Sequence, residues 1–178
     1  MRVVSGKYRG KKLKEFELNT TKPTLDRVKE SIFNLIQFDV ADAVVLDLFA
    51  GTGSLGLEAI SRGANKTYFV DNNLEAIKII KDNLKGIDGQ YEIKHASFDN
   101  FLNETNEKFD IVLLDPPYNT TFGLDAIAMI LNKKLLNENG IIIFETSEDK
   151  QVDLNFDSFE VKRKKYGTVA VYKLEKKN

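Results

Sequence analysis

The chain reads as an α/β protein, a three-layer sandwich around a mostly parallel sheet. Three observations predict this. An apolar run, Val44 to Leu48, ends in Gly51-Thr52-Gly53 and gives way to a helical pattern through Leu55, Leu57, Ala59 and Ile60 to Arg62. Short apolar runs then alternate with amphipathic ones as far as Glu145. Last come two runs joined at Tyr166-Gly167, the pattern of an antiparallel hairpin. Continuous apolar runs mark strands buried on both faces, and strand–helix alternation marks a parallel sheet covered by helices.

The elements follow in order. Residues 1–14 alternate weakly, with turn signals at Ser5-Gly6 and Arg9-Gly10, and predict a short β-hairpin. Phe16 to Thr21 connects it to a helix that starts near Pro23-Thr24, with Leu25, Val28, Ile32, Phe33, Leu35 and Ile36 as its apolar face. Arg27, Lys29 and Glu30 fall toward the other side. After the first strand and its helix, Thr67 to Val70 is a strand ending at Asp71, and Leu74 to Leu84 a helix closed near Gly86. Tyr91 to His95 is the third strand, followed by a short helix around Phe98 to Leu102. Phe109 to Leu114 is the fourth strand, Leu124 to Leu136 a helix stopped by Asn139-Gly140, and Gly140 to Glu145 the fifth strand. Phe159 to Lys165 and Thr168 to Leu174 complete a seven-stranded sheet. The whole, 1–178, is expected to be one domain: a hairpin and helix extension over 1–34, and a core over 44–178.

Composition narrows the function. At 42% hydrophobic and 30% charged residues over 178 positions, the chain is that of a globular protein with a sizeable core. No apolar run approaches the ~18 residues that span a membrane, and the opening decapeptide has no signal-peptide core. A cytoplasmic protein with no membrane partner is therefore expected. Zero cysteines exclude a disulfide frame, an Fe–S cluster and a thiolate nucleophile. A single histidine, His95, argues against a metal site. The net charge of −1 is unevenly spread. Residues 1–34 carry nine Lys/Arg against four Asp/Glu, and residues 161–178 seven against one. Basic ends on an acidic body fit a polyanionic partner, with Arg2, Lys7, Arg9, Lys11 and Lys12 available for phosphates.

The chemistry gathers at strand ends. Gly51, Gly53 and Gly56 spell GxGxxG between a strand and a helix, where glycines admit a ligand to the backbone and free N–H groups face it. Asp47, Asp71 and Asp115 each close a strand. Asp71 lies 18 residues beyond Gly53, close to the spacing of an acid that accepts from ribose hydroxyls. Capping the helix from Leu74 is the alternative use of Asp71. Asp115-Pro116-Pro117-Tyr118 directly follows Ile111 to Leu114. The Asp115 carboxylate and the Pro116 carbonyl offer two acceptors, and Tyr118 a flat face. Together they suit a planar ring with an exocyclic amine.

On these residues the chain resembles a class I S-adenosylmethionine-dependent methyltransferase with an amino-methylating Asp-Pro-Pro-Tyr motif. Within that group it is similar to the RsmD family of small-subunit (16S) rRNA guanine-N2 methyltransferases. The matching stretches are Met1 to Leu13, with its Ser5 to Leu13 opening, Pro23 to Asn34, Val45 to Ala59 with Ser61 to Ala64, Asp71, Phe109 to Tyr118, and the Lys165-Tyr166-Gly167 turn. The chain departs from the family pattern at Lys22, where an Arg is usual, and at Ser97, where an Asp is frequent. The resemblance implies that Asp47, Phe49, Ala50, Gly51, Thr52 and Gly53 line the methionine and ribose part of S-adenosylmethionine. It implies that Asp71 and Asn72 hold the ribose, and that Ser97 and Phe98 lie at the adenine. Thr24 and Arg27 would then lie near the methionine end. Asp115, Pro116, Pro117 and Tyr118 would hold the target base. The implied partner is small-subunit rRNA within an assembled ribosomal particle. Rival readings are adenine-N6 or cytosine-N4 methylation of DNA, an oxidoreductase with no use for Asp115 to Tyr118, and a non-enzymatic RNA-binding module that leaves the three acids idle.

Overall fold

The computed structural model describes residues 1–17, 23–150 and 152–177, the side chains of Pro23 and Thr24 excepted. The order is α1 (Pro23–Leu35), β1 (Val44–Leu48), α2 (Ser54–Ser61), β2 (Lys66–Asp71), α3 (Leu74–Asn83), β3 (Gln90–His95), α4 (Phe98–Glu104), β4 (Phe109–Leu114), α5 (Phe122–Asn132), β5 (Leu136–Ser147), β6 (Phe159–Tyr166) and β7 (Val169–Lys176). The strands form one seven-stranded sheet in the order β3-β2-β1-β4-β5-β7-β6. β1 to β5 run parallel, and β7 is antiparallel to both β5 and β6. The three-layer sandwich and its C-terminal hairpin are as the sequence predicts.

Alternation along the strands sorts the core. Val45, Ile111, Leu113, Ile141, Ile143, Val169 and Val171 pack with Val28, Ile32, Phe33 and Ile36 of α1. Leu46, Leu48, Val112, Leu114, Ile142 and Phe144 face the other way, onto α4 and α5. Phe69 joins α2, α3 and the N-terminal residues Val3 and Leu13 in a third cluster. Helix α1 is thus part of the sandwich, with four apolar side chains at 3% exposure or less counting Ile36 just beyond it.

One local reading holds in short form and two change. The N-terminal hairpin exists in minimal form, as one Arg2–Lys12 bridge. The N–H groups of Val3, Gly10 and Leu13 close it on the carbonyls of Lys11, Val3 and Met1, while those of Val4 and Ser5 go to the Glu58 carboxylate and that of Tyr8 to the Ser61 hydroxyl. β5 begins four residues early, at Leu136, and carries Asn139 at φ 63 inside it, so Asn139-Gly140 is an irregularity of the strand rather than its border. Lys29 does not face outward. It is 3% exposed, and its ammonium donates to the Arg2 carbonyl and the Ser54 hydroxyl, 3.5 Å from Glu58. The N-terminal segment covers that side of α1, which helical periodicity alone does not reveal.

Among the described residues, no helix is long and apolar enough to cross a membrane.

Candidate active site

The strand order reverses between β1 and β4, and ligands of such sheets bind beyond the strand ends at that point. A cavity of about 900 Å³ opens there. A smaller one of about 240 Å³ adjoins it, sharing Phe49, Gly51, Asp115 and Glu145 in its walls.

The glycine turn forms one wall. Gly51 and Gly53 sit at φ 57 and 79, a conformation that glycine adopts without a Cβ clash. Phe49 adopts φ 67 without that freedom. Its ring packs 5.2 Å from Phe98 and stacks 6.4 Å from Phe122, contacts that hold a strained residue in place. Gly56 serves packing: a Cβ there would lie 2.4 Å from the Phe69 ring. Asp47, 1% exposed, accepts from the Gly56 N–H at 2.8 Å. Burial pushes its carboxyl up to about 8; the Gly56 bond opposes the shift and nearby Asp71 adds to it.

Asp71 lines the larger cavity. One oxygen accepts from the Gly51 N–H and the other from the Asn73 N–H, both at 2.8 Å. The carboxylate thus ties the glycine turn to the end of β2. The cap of α3 is Asn73, whose side chain accepts from the Glu75 N–H. A carboxylate has about four lone-pair directions, so two backbone bonds leave room for two hydroxyls. Asn72, Ala96 and Phe98 continue this end of the cavity. Ser97 is absent from the wall; its hydroxyl lies beside Asp99 and holds that carboxyl below its usual range.

Register builds the opposite end. Leu114 pairs with Phe144, so Asp115 and Glu145 follow side by side, on the face that carries Leu113 and Ile143. Asp47 pairs with Leu113 and shares that face. Asp47, Asp115 and Glu145 therefore converge on the smaller cavity, where Lys29 supplies a cation. Burial lowers the Lys29 ammonium below its usual range, against the pull of Glu58 and Asp26. Pro116, Pro117, Tyr118 and Phe122 finish the wall of the larger cavity. The Tyr118 hydroxyl donates to Glu145 at 3.1 Å. Burial, then the Glu145 carboxylate, push that phenol well up. Glu145 is 6% exposed, and burial raises its carboxyl. Asp115 is exposed to both cavities. Packing around it, then the Glu145 and Asp47 carboxyls, raise its carboxyl above the usual range.

The remaining predicted residues scatter. Ala50 and Thr52 line the smaller cavity. Arg27 is exposed and lines neither; Leu25, Val28 and Phe16 occupy the wall nearby. The Thr24 side chain and Lys22 lie outside the described residues. The basic N-terminal turn rests on Ser61, at the end of α2 remote from the glycine loop. There Lys7 lies 3.4 Å from Asp88 and the Lys11 ammonium donates to the Lys85 carbonyl, while Arg2, Arg9 and Lys12 are exposed. Sequence reasoning missed Lys29 and Glu145. Glu145 lies two residues inside the end of β5, and its only signal in the sequence was its place at the end of the predicted fifth strand. No group of acids and histidines among the described residues is placed to hold a metal ion.

A doubly wound sheet, a glycine turn tied to a strand-end acid, and Asp-Pro-Pro-Tyr on the same cavity are the features in which the chain resembles class I S-adenosylmethionine-dependent methyltransferases. Comparison with known proteins is more particular. The family model described as Conserved hypothetical protein 95 matches residues 1–175. YlbH of Bacillus subtilis is 37% identical over 188 residues, 97% of this chain and 98% of its own length. Ribosomal RNA small subunit methyltransferase D of Haemophilus influenzae is 36% identical over 155 residues, 84% of this chain and 80% of its own. The solved structure of yhhF from Escherichia coli superposes with a TM-score of 0.89 at 25% identity, covering 100% of this chain and 98% of that one. The chain belongs to this family, the RsmD family of methyltransferases.

S-adenosylmethionine is its cofactor, and the residues present fit it. Apolar Phe98 and Ala96 offer a surface for a planar base, Asp71 keeps two lone-pair directions free for a ribose, and the glycine turn leaves backbone exposed beside them.

Proposed function

We propose that the chain methylates the N2 exocyclic amine of a guanine in small-subunit rRNA. The observation that carries this reading is the placement of Asp115-Pro116-Pro117-Tyr118 on the cavity that Asp71 and the glycine turn line from the other side. The name of the Haemophilus influenzae relative supports the RNA class.

When bound, S-adenosylmethionine supplies a methyl on a sulfonium, and the amine's lone pair forms the N–C bond as the C–S pair returns to sulfur. The protein's work is to make a poor nucleophile attack. The guanine N2 lone pair is delocalised into the ring. Asp115 and the Pro116 carbonyl accept the two amine hydrogens, which localises the lone pair and aims it. Tyr118 and Phe122, which line the same cavity, offer flat faces to a base. Asp115 accepts the proton that the alkylated nitrogen sheds, a role its raised proton affinity favours. Positioning and electrostatics supply most of the rate. A paired base cannot enter this cavity, so the target is unpaired or flipped.

At the cofactor, Asp47, Phe49 to Gly53, Asp71, Asn72 and Phe98 form the binding wall, with Lys29 near the methionine end in the place expected for Arg27. Residues 44–178 form the catalytic core, and the N-terminal region adds Arg2, Arg9 and Lys12 for phosphates. Phosphate contacts position without reading sequence. One guanine is then chosen by the shape of rRNA folded in an assembled particle.

Methyl-labelled S-adenosylmethionine, offered with unmethylated small-subunit particles, with the same rRNA stripped of protein, and with DNA, tests the reading by mass spectrometry of digested nucleosides. N2-methylguanosine formed fastest on particles is expected. Methylated adenine or cytosine in DNA would overturn the function, and equal rates on particles and stripped RNA would overturn the particle requirement.

A further inference from the structure

The base end of the cavity holds more acid than an amine requires. Asp115 and the Pro116 carbonyl suffice for the two hydrogens of an exocyclic amine, yet Glu145 stands beside them, buried and opening on both cavities. Its position is fixed by the sheet: the Leu114–Phe144 pairing sets Glu145 and Asp115 next to each other on adjacent strands. One oxygen accepts from the Tyr118 hydroxyl at 3.1 Å. An ionised carboxylate accepts only, with two oxygens and about four lone-pair directions, so Glu145 retains most of its capacity. Buried acceptors beside another acid are stable only when donors reach them.

The bases differ in what they offer there. Guanine presents N1–H directly beside its N2 amine, two donors in a row on the Watson–Crick edge. In adenine and cytosine the ring nitrogen beside the amine is an acceptor, whose lone pair would face the carboxylate. Uracil has no amine. We infer that Glu145 accepts the N1–H of the target guanine while Asp115 holds its N2 amine, making Glu145 the residue that selects guanine over adenine and cytosine. Tyr118, through its bond to Glu145, orients that acceptor. The inference rests on the guanine-N2 reading proposed above and adds the group that reads the base.

A purely structural Glu145, there only to fix Tyr118, makes a different prediction, and a base analogue separates the two. 2-Aminopurine keeps the amine at C2 but has an unprotonated N1 acceptor in place of N1–H. Wild-type enzyme and unmethylated particles first give the methylated position by nucleoside mass spectrometry. Particles are then reconstituted with rRNA ligated to carry guanine or 2-aminopurine at that position, and kcat/KM is measured for wild type, Glu145→Gln and Tyr118→Phe. Wild type should prefer guanine by roughly 10- to 100-fold, the worth of a charged hydrogen bond. Glu145→Gln can donate its amide N–H to N1 of the analogue, so its preference should vanish or reverse, with the S-adenosylmethionine Kd unchanged. Tyr118→Phe should lower both rates and keep the preference. If Glu145→Gln lowers both rates equally and the guanine preference survives, the inference is overturned and the guanine-N2 reading stands. If wild type forms no N2-methylguanosine, the reading fails and the inference with it.

Discussion

The two ends of the cavity use acids in opposite ways. At the cofactor end, both oxygens of Asp71 already hold backbone N–H groups, from Gly51 and Asn73. At the base end, Asp115 and Glu145 sit side by side with the Tyr118 hydroxyl bonded to Glu145. Asp71 is a strut that fixes the glycine turn, and in the proposed function it is a ligand group as well. In the same proposal Asp115 and Glu145 receive donors that a base brings. An acid with its donors in place shapes a site; crowded acids without them are poised for a ligand that supplies donors.

The largest expected effect breaks the base end. Asp115→Ala should cut the single-turnover rate by about a hundredfold or more, roughly 3 kcal/mol, because an acceptor aimed at the transition state is lost. Rapid-quench methyl transfer at saturating S-adenosylmethionine checks this.

Asp47 tests how far burial governs these acids. Its folded carboxyl lies near 8, far above its value of 3.8 when unfolded. Between those values the folded state holds a proton that the unfolded state has released, so its contribution to stability falls as pH rises from about 4 to 8. Asp47→Asn keeps an acceptor for the Gly56 N–H and has nothing to ionise. From pH 5 to pH 8, wild type should lose on the order of 2–4 kcal/mol more stability than the variant, by urea unfolding at both pH values. Parallel losses would mean that Asp47 ionises as readily in the fold as out of it.

Asp71→Ala sharpens the contrast at the cofactor end. Two backbone N–H groups and the ribose hydroxyls lose their acceptor. The S-adenosylmethionine Kd should rise by about 1–3 kcal/mol, with the thermal midpoint reduced as well. Smallest is Gly56→Ala. Its Cβ would press on the Phe69 ring and should cost about 1–2 kcal/mol of stability, read by thermal unfolding.

How much of this was legible in the sequence follows from which forces are local. Val44 to Leu48 and Phe109 to Leu114 are apolar runs interrupted only by Asp47 and Asp110 and followed by glycine or proline signals, and both strands lie where the runs do. The glycine turn, Asp71 and Asp115 were legible because strand ends in a doubly wound sheet share one edge. Lys29 was not, because its burial depends on residues 1–5 folding over α1 from far along the chain. Glu145 was hidden within an apolar strand, and its importance depends on pairing with β4. The bounds of β5 differ because Asn139-Gly140 sits in a break of the ladder: Leu136 pairs with Phe109 before it, and pairing resumes at Ile141 with Ile111. The basic N-terminal residues illustrate the same limit: composition places them together, but Lys7 and Lys11 make contacts within the protein, away from the cavity.

The central claim is that the two ends of the cavity separate cofactor binding from base handling. Calorimetric titration of S-adenosylmethionine into Asp115→Ala and Asp71→Ala tests it most directly. Cofactor affinity close to wild type in Asp115→Ala, beside a clear loss in Asp71→Ala, is the predicted result. Equal losses in both variants, or a loss confined to Asp115→Ala, would contradict it.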